Sequence, residues 1–173
     1  MKYFASFTIL LFLASSCIVS PPVKVNLEGV SFTCPEGWKI TDHENYFGFG
    51  NYIAIEKDGF KSSGIISYTW LNSESDLDDY LTELKVELKS SLFFRKSDLS
   101  FGEAYESSYN YLDTKTVDYH FTLFKVEHKG IIYLANEAGK TICILKQEAI
   151  QDSQENKAGY DKLERSFKVL QGI

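Results

Sequence analysis

The sequence predicts an α+β fold: a mostly antiparallel sheet of about six strands covered by helices on both faces, an α/β/α sandwich behind an N-terminal signal segment. Three observations carry this expectation. Residues 103–148 read as a run of strands separated by short turns. Ile131-Ile132-Tyr133-Leu134-Ala135 and Thr141-Ile142-Cys143-Ile144-Leu145 are apolar on both parities, so neither face of their sheet faces water. Two stretches, 77–92 and 156–170, carry apolar residues at helical spacing. With 173 residues and 44% hydrophobic content, the chain suffices for one packed domain.

The first element is an address. Met1-Lys2 is a short positive start, residues 3–13 are apolar, and Ala14-Ser15-Ser16-Cys17 is small and ends in cysteine. That is the order of a secretory signal. The cysteine after small residues is similar to a bacterial lipobox, in which Cys17 becomes the acylated first residue of the mature chain. Ala14 departs from that pattern, where Leu is commonest, and ordinary cleavage near Ser16 or Ser20 is the alternative. The apolar run is short for the roughly 20 residues of a membrane-spanning helix. The expected organisation is a signal peptide at 1–16, a lipidated cysteine and stiff Ser20-Pro21-Pro22 tether within 17–22, and one globular domain at 23–171. The protein is then exported, anchored by lipid and facing the periplasm.

Residues 30–34 alternate as a strand and meet the turn signal Pro35-Glu36-Gly37. Extended structure resumes at Trp38. The aromatic, Gly-rich segment Tyr46-Phe47-Gly48-Phe49-Gly50-Asn51-Tyr52 then reads as a hairpin or loop before a strand at 52–57, with another strand at 64–71. Leu77, Leu81, Leu84, Leu88 and Leu92 define the first helix, with Ser75 as its expected cap. In the meander, turns are expected at Asp113-Thr114-Lys115, Lys129-Gly130 and Ala138-Gly139-Lys140, and a β-bulge where parity shifts at Leu123 and Phe124. Tyr160, Leu163, Phe167 and Leu170 share one side of the second helix.

Phe32-Thr33-Cys34-Pro35-Glu36-Gly37-Trp38, the central helix, the meander and the late Tyr160-Asp161-Lys162-Leu163-Glu164-Arg165-Ser166-Phe167 together resemble the PsbP/DcrB-like superfamily over about residues 23–170. The resemblance implies an α/β/α sandwich used mainly as a binding module. It implies no catalytic set, so no functional residue is carried over from it. Cytoplasmic effector chaperones belong to the same superfamily, and an export signal argues against that role.

The formal charge of −6 repels a phosphate backbone, so nucleic acid is not an expected partner. In an exported protein Cys34 and Cys143 have two open readings, a disulfide or two buried free thiols. Of the histidines, His120 and His128 lie about 27 Å apart along an extended strand, too far for one metal. Asp118 and His120 share a strand face and need a third ligand from elsewhere; outward polar residues on an edge strand explain them equally. Asp42-His43-Glu44 reads as a solvated turn. No nucleophile elbow, dinucleotide or phosphate-loop motif occurs, so no catalytic residue, metal or cofactor is expected. Surface recognition remains. Tyr46, Phe47, Phe49 and Tyr52 are the candidate contact for an envelope protein partner, since aromatic side chains offer large contact area at low entropic cost. A carrier of a small apolar ligand or acyl chain is the alternative function, and a metal-dependent enzyme using Asp118 and His120 a minor one.

Overall fold

The structure is a computed structural model and describes residues 21–27, 29–59, 63–95 and 97–170. The signal segment and Cys17 lie outside the described residues. In chain order the elements are β1 (Val23–Leu27), β2 (Val30–Cys34), β3 (Trp38–Asn45), β4 (Gly50–Lys57), β5 (Ile65–Leu71), α1 (Leu77–Ser90), β6 (Ser100–Phe101), β7 (Tyr105–Tyr109), β8 (Leu112–Leu123), β9 (Val126–Glu137), β10 (Lys140–Ala149), α2 (Ser153–Ser166) and β11 (Lys168–Val169). The fold is α+β. Its main sheet has eight strands where about six were expected, ordered β3-β4-β5-β10-β9-β8-β6 with β7 also paired to β8. A separate three-stranded sheet is ordered β1-β2-β11.

Alternation along the central strands sends side chains into two clusters. Ile132 and Leu134 of β9 and Cys143 of β10 join Val117, Tyr119 and Phe121 of β8 beneath Leu81 of α1, with Leu77, Tyr80, Leu84 and Leu88 against them. Ala135 of β9 and Ile142 and Ile144 of β10 join Tyr68, Trp70, Phe32 and Trp38 beneath Tyr160 and Leu163 of α2. A strand whose neighbouring residues enter different clusters is buried on both faces, as its apolar run requires.

Several local expectations are corrected. The cap of α1 is Asp76, whose Oδ1 accepts from the backbone N–H groups of Asp78 at 2.8 Å and Asp79 at 3.1 Å; the Ser75 N–H instead donates to Thr141 Oγ1. The second helix starts at Ser153, earlier than 156. Leu123 pairs with Val126, so Phe124-Lys125 is a two-residue hairpin turn and not a bulge. Both turn residues have positive φ, 49° and 66°, as a turn matched to strand twist demands. The true irregularity lies in β3, between Ile40 and Asp42. Asp113-Thr114-Lys115 and Lys129-Gly130 are interior to β8 and β9, and Asp42-His43-Glu44 lies in β3.

Cys34 and Cys143 are free, buried thiols. Cys34 belongs to the cluster under α2 and Cys143 to the cluster under α1, so the sheet separates them. Of the two readings open in the sequence, the structure has the unbridged one.

Candidate functional site

The aromatic segment forms the tip of the β3–β4 hairpin. The Tyr46 N–H donates to the Gly50 carbonyl at 2.9 Å, and the Phe49 N–H to the Tyr46 carbonyl at 3.0 Å. Phe47 and Gly48 occupy the turn at φ 49° and 88°. Glycine takes such an angle freely, whereas a phenylalanine there is an outlier that its surroundings must hold. The surroundings are visible. Asn72 of the β5–α1 connection donates its side-chain amide to the Gly48 carbonyl at 2.8 Å, and its backbone N–H to the Phe49 carbonyl at 2.9 Å. Asn45 Nδ2 donates to Asn51 Oδ1 at 2.9 Å, bracing the base of the turn.

This brace holds two large apolar rings in water. Phe47 is 96% exposed and Phe49 78% exposed. Tyr46 stands at the rim, and Tyr52 is half-buried on β4. Strand pairing sets Glu44 opposite Tyr52 and Asp42 opposite Ala54, so Asp42, Glu44 and Tyr52 share a face. Burial, then the carboxylates of Asp42, Glu44 and Glu56, push the Tyr52 phenol above its usual range. Burial and Glu44 do the same to Tyr46, with smaller contributions from Tyr52 and from Glu87 of α1. The four sequence-predicted residues thus divide. Phe47 and Phe49 form the displayed tip, and Tyr46 and Tyr52 stand on the acid-lined flank behind it.

The acidic flank was missed because Asp42-His43-Glu44 read as a turn. Strand parity would have revealed it, since Asp42 and Glu44 fall on one side and His43 on the other.

Asp118 and His120 lie beside a cleft of about 220 Å³ that is also lined by Lys129, Ile131, Lys146 and Glu148. The charges there are largely engaged: Glu148 accepts from Asn156 Nδ2 at 3.0 Å and pairs with Lys129 at 3.5 Å, and Tyr105 Oη donates to Asp118. Among the described residues no group of three or more His, Cys, Asp and Glu side chains is arranged to hold a metal. Among the described residues no third ligand joins the Asp118–His120 pair in such a group. A larger cleft of about 310 Å³, beside Lys39, Glu56, Lys57 and Asp58, is likewise charged.

No family model and no curated protein matches the sequence. Solved structures do. The chain is similar to cyanobacterial PsbP (CyanoP) from Synechocystis sp. PCC 6803, with a TM-score of 0.60 and 15% identity over 92% of this chain and 99% of that one. It is also similar to LpqN of Mycobacterium tuberculosis, a protein involved in cell envelope biogenesis, with a TM-score of 0.51 and 11% identity over 86% of this chain and 88% of that one. The fold is thus similar to that of cyanobacterial PsbP (CyanoP). Among the described residues no helix is long and apolar enough to cross a membrane.

Proposed function

We propose that the protein is an exported, non-catalytic accessory module of the cell envelope that binds another protein through the β3–β4 hairpin tip. Lipid on Cys17 holds it at the membrane, facing the periplasm, and its two helix-backed sheet faces make it an α/β/α sandwich. One observation carries the reading: Phe47 is almost fully exposed, in a backbone conformation phenylalanine disfavours, and Asn72 fixes it there. Such a ring contributes nothing to the core, and an ordered aromatic anchor is what a protein interface uses at its centre. The role of LpqN in envelope biogenesis supports the compartment.

The test is crosslinked affinity capture of the full-length protein from its own envelope, beside a Phe47→Ser/Phe49→Ser variant. A stoichiometric partner should be recovered with the native protein and lost with the variant. Exposed substitutions cost about 0.5 kcal/mol or less each, so the thermal midpoint should move by no more than about 2–4 °C. Equal capture by both proteins, or a collapse in stability, contradicts the assignment.

A further inference from the structure

The ends of the main sheet differ. The hairpin tip, the β5–α1 connection and the β9–β10 turn lie at one end, since Asn51 pairs with Trp70 and Thr141 with Leu71. Gly29 packs against Trp70, so the β1–β2 connection is also there, and β1 reaches that end from Val23 at the other. The chain therefore enters the domain at the end remote from Phe47. The eight residues of β3 put about 25 Å between the two ends.

Among the described residues, this entry end carries apolar side chains that no other element covers. Phe124 is 90% exposed at the β8–β9 turn, and Leu92 is 82% exposed just past α1. Val23, Phe93 and Ile150 are also exposed. Two of them flank one aromatic pair. Phe93 stacks edge-on to Phe121, Phe121 stacks on His128, and Ile150 lines one cleft with Phe121 and His128. Phe124 holds φ 49°, the same disfavoured angle as Phe47, with Lys125 beside it at φ 66°. Two glycines or an Asn-Gly pair would make this turn without strain. The sequence instead spends it on an exposed aromatic ring and a cation.

We propose that this end seats on a lipid bilayer, with Phe124 and Leu92 inserted at the headgroup level and Arg95 and Lys125 beside anionic headgroups. Asp98 and Glu127 at the same end offset those cations, so the contact is apolar first. The occupant follows from where the chain enters. The five residues between Cys17 and Val23 reach at most about 20 Å. An acyl chain on Cys17 holds this end, and not the hairpin end, against the membrane. A lipobox cysteine carries more than one acyl chain and attaches durably by itself, so the apolar end sets how the domain lies on the bilayer and not whether it is attached. Seated this way, the domain points Phe47 and Phe49 away from the membrane. The inference rests on the anchoring part of the proposed function and is independent of the hairpin partner.

The experiment introduces one tryptophan at a time, Phe124→Trp or Phe47→Trp, into the full-length protein in vesicles of phosphatidylethanolamine and phosphatidylglycerol with brominated acyl chains. Trp38 and Trp70 are buried and shielded from bromine. The tryptophan at 124 should lose most of its emission while that at 47 keeps it. In a Cys17→Ala background, where no lipid holds the protein, Phe124→Ser should weaken vesicle binding about tenfold. Protein that floats with vesicles while neither tryptophan is quenched overturns the seat and leaves the anchor standing. Quenching at 47 instead reverses the orientation and overturns it. Failure of every variant to float overturns seat and anchor together, while partner capture scores the hairpin separately. Loss of a captured protein on Phe124→Ser, with flotation unchanged, assigns this end to protein and not lipid.

Discussion

Tyr119 lies across Gly130 on the neighbouring strand: a β-carbon at Gly130 would sit 2.1 Å from the Tyr119 ring. The glycine is not a turn. It is a gap on β9 that an aromatic side chain from β8 fills, on the face under α1. Gly130→Ala should therefore destabilise by about 1–3 kcal/mol or more through overpacking. In a Tyr119→Leu background the same change should cost much less, since neighbouring sites couple. Urea denaturation of the four proteins checks this, and equal losses in both backgrounds would contradict it.

Under the other helix, the Tyr68 and Tyr109 hydroxyls bond to each other at 2.7 Å, both buried. Tyr68→Phe leaves the Tyr109 hydroxyl without that partner, at a cost of about 1–3 kcal/mol. The double phenylalanine variant should lose less than the sum of the single changes. A double-mutant cycle by chemical denaturation reads the coupling, and strict additivity would refute it.

Burial alone pushes the Cys34 thiol up, and burial pushes Cys143 up to about 12. At pH 8 neither is a thiolate, and the thiolate is the reactive form. Peptide mapping after iodoacetamide should find both unmodified in the folded protein and both modified after unfolding. Recovery of a Cys34–Cys143 disulfide peptide would contradict their separation by the sheet.

Backbone hydrogen bonds from Asp79 and Asp78 hold the Asp76 carboxyl below its ordinary range. A carboxyl depressed by folding stabilises the protein above its unfolded value and loses that contribution as pH falls through the folded value. Asp76→Asn keeps an acceptor for the helix cap but has no proton to gain. The native protein should lose thermal stability faster than the variant as pH drops below about 4. Parallel curves in that acid range would rule out the cap as their source.

The sheet and both helices were legible because burial leaves a period. The runs at 131–135 and 141–145 are apolar on both parities, and the leucines of α1 recur each turn. What misled was the punctuation. Gly130 has the residue type of a turn but serves close packing, while Phe124-Lys125 turns the chain without any turn residue. One error forced the next: reading a bulge at Leu123 and Phe124 carried the strand past its real turn and put turns instead at 113–115 and 129–130. The hairpin tip was legible because Gly48 and Gly50 do mark a turn there. Its acidic flank was not, because it depends on which side of β3 each residue takes. The cluster at the entry end escaped notice for another reason. Leu92, Phe124 and Ile150 are distant in sequence, and only the topology collects them.

A photo-crosslinking phenylalanine analogue at position 47 of the full-length protein, in the native envelope, tests the central claim most directly. With position 86 as an exposed apolar control on α1, irradiation should give one discrete protein adduct from 47 and none from 86. No adduct from 47, or the same adduct from both, would contradict the hairpin as the recognition surface.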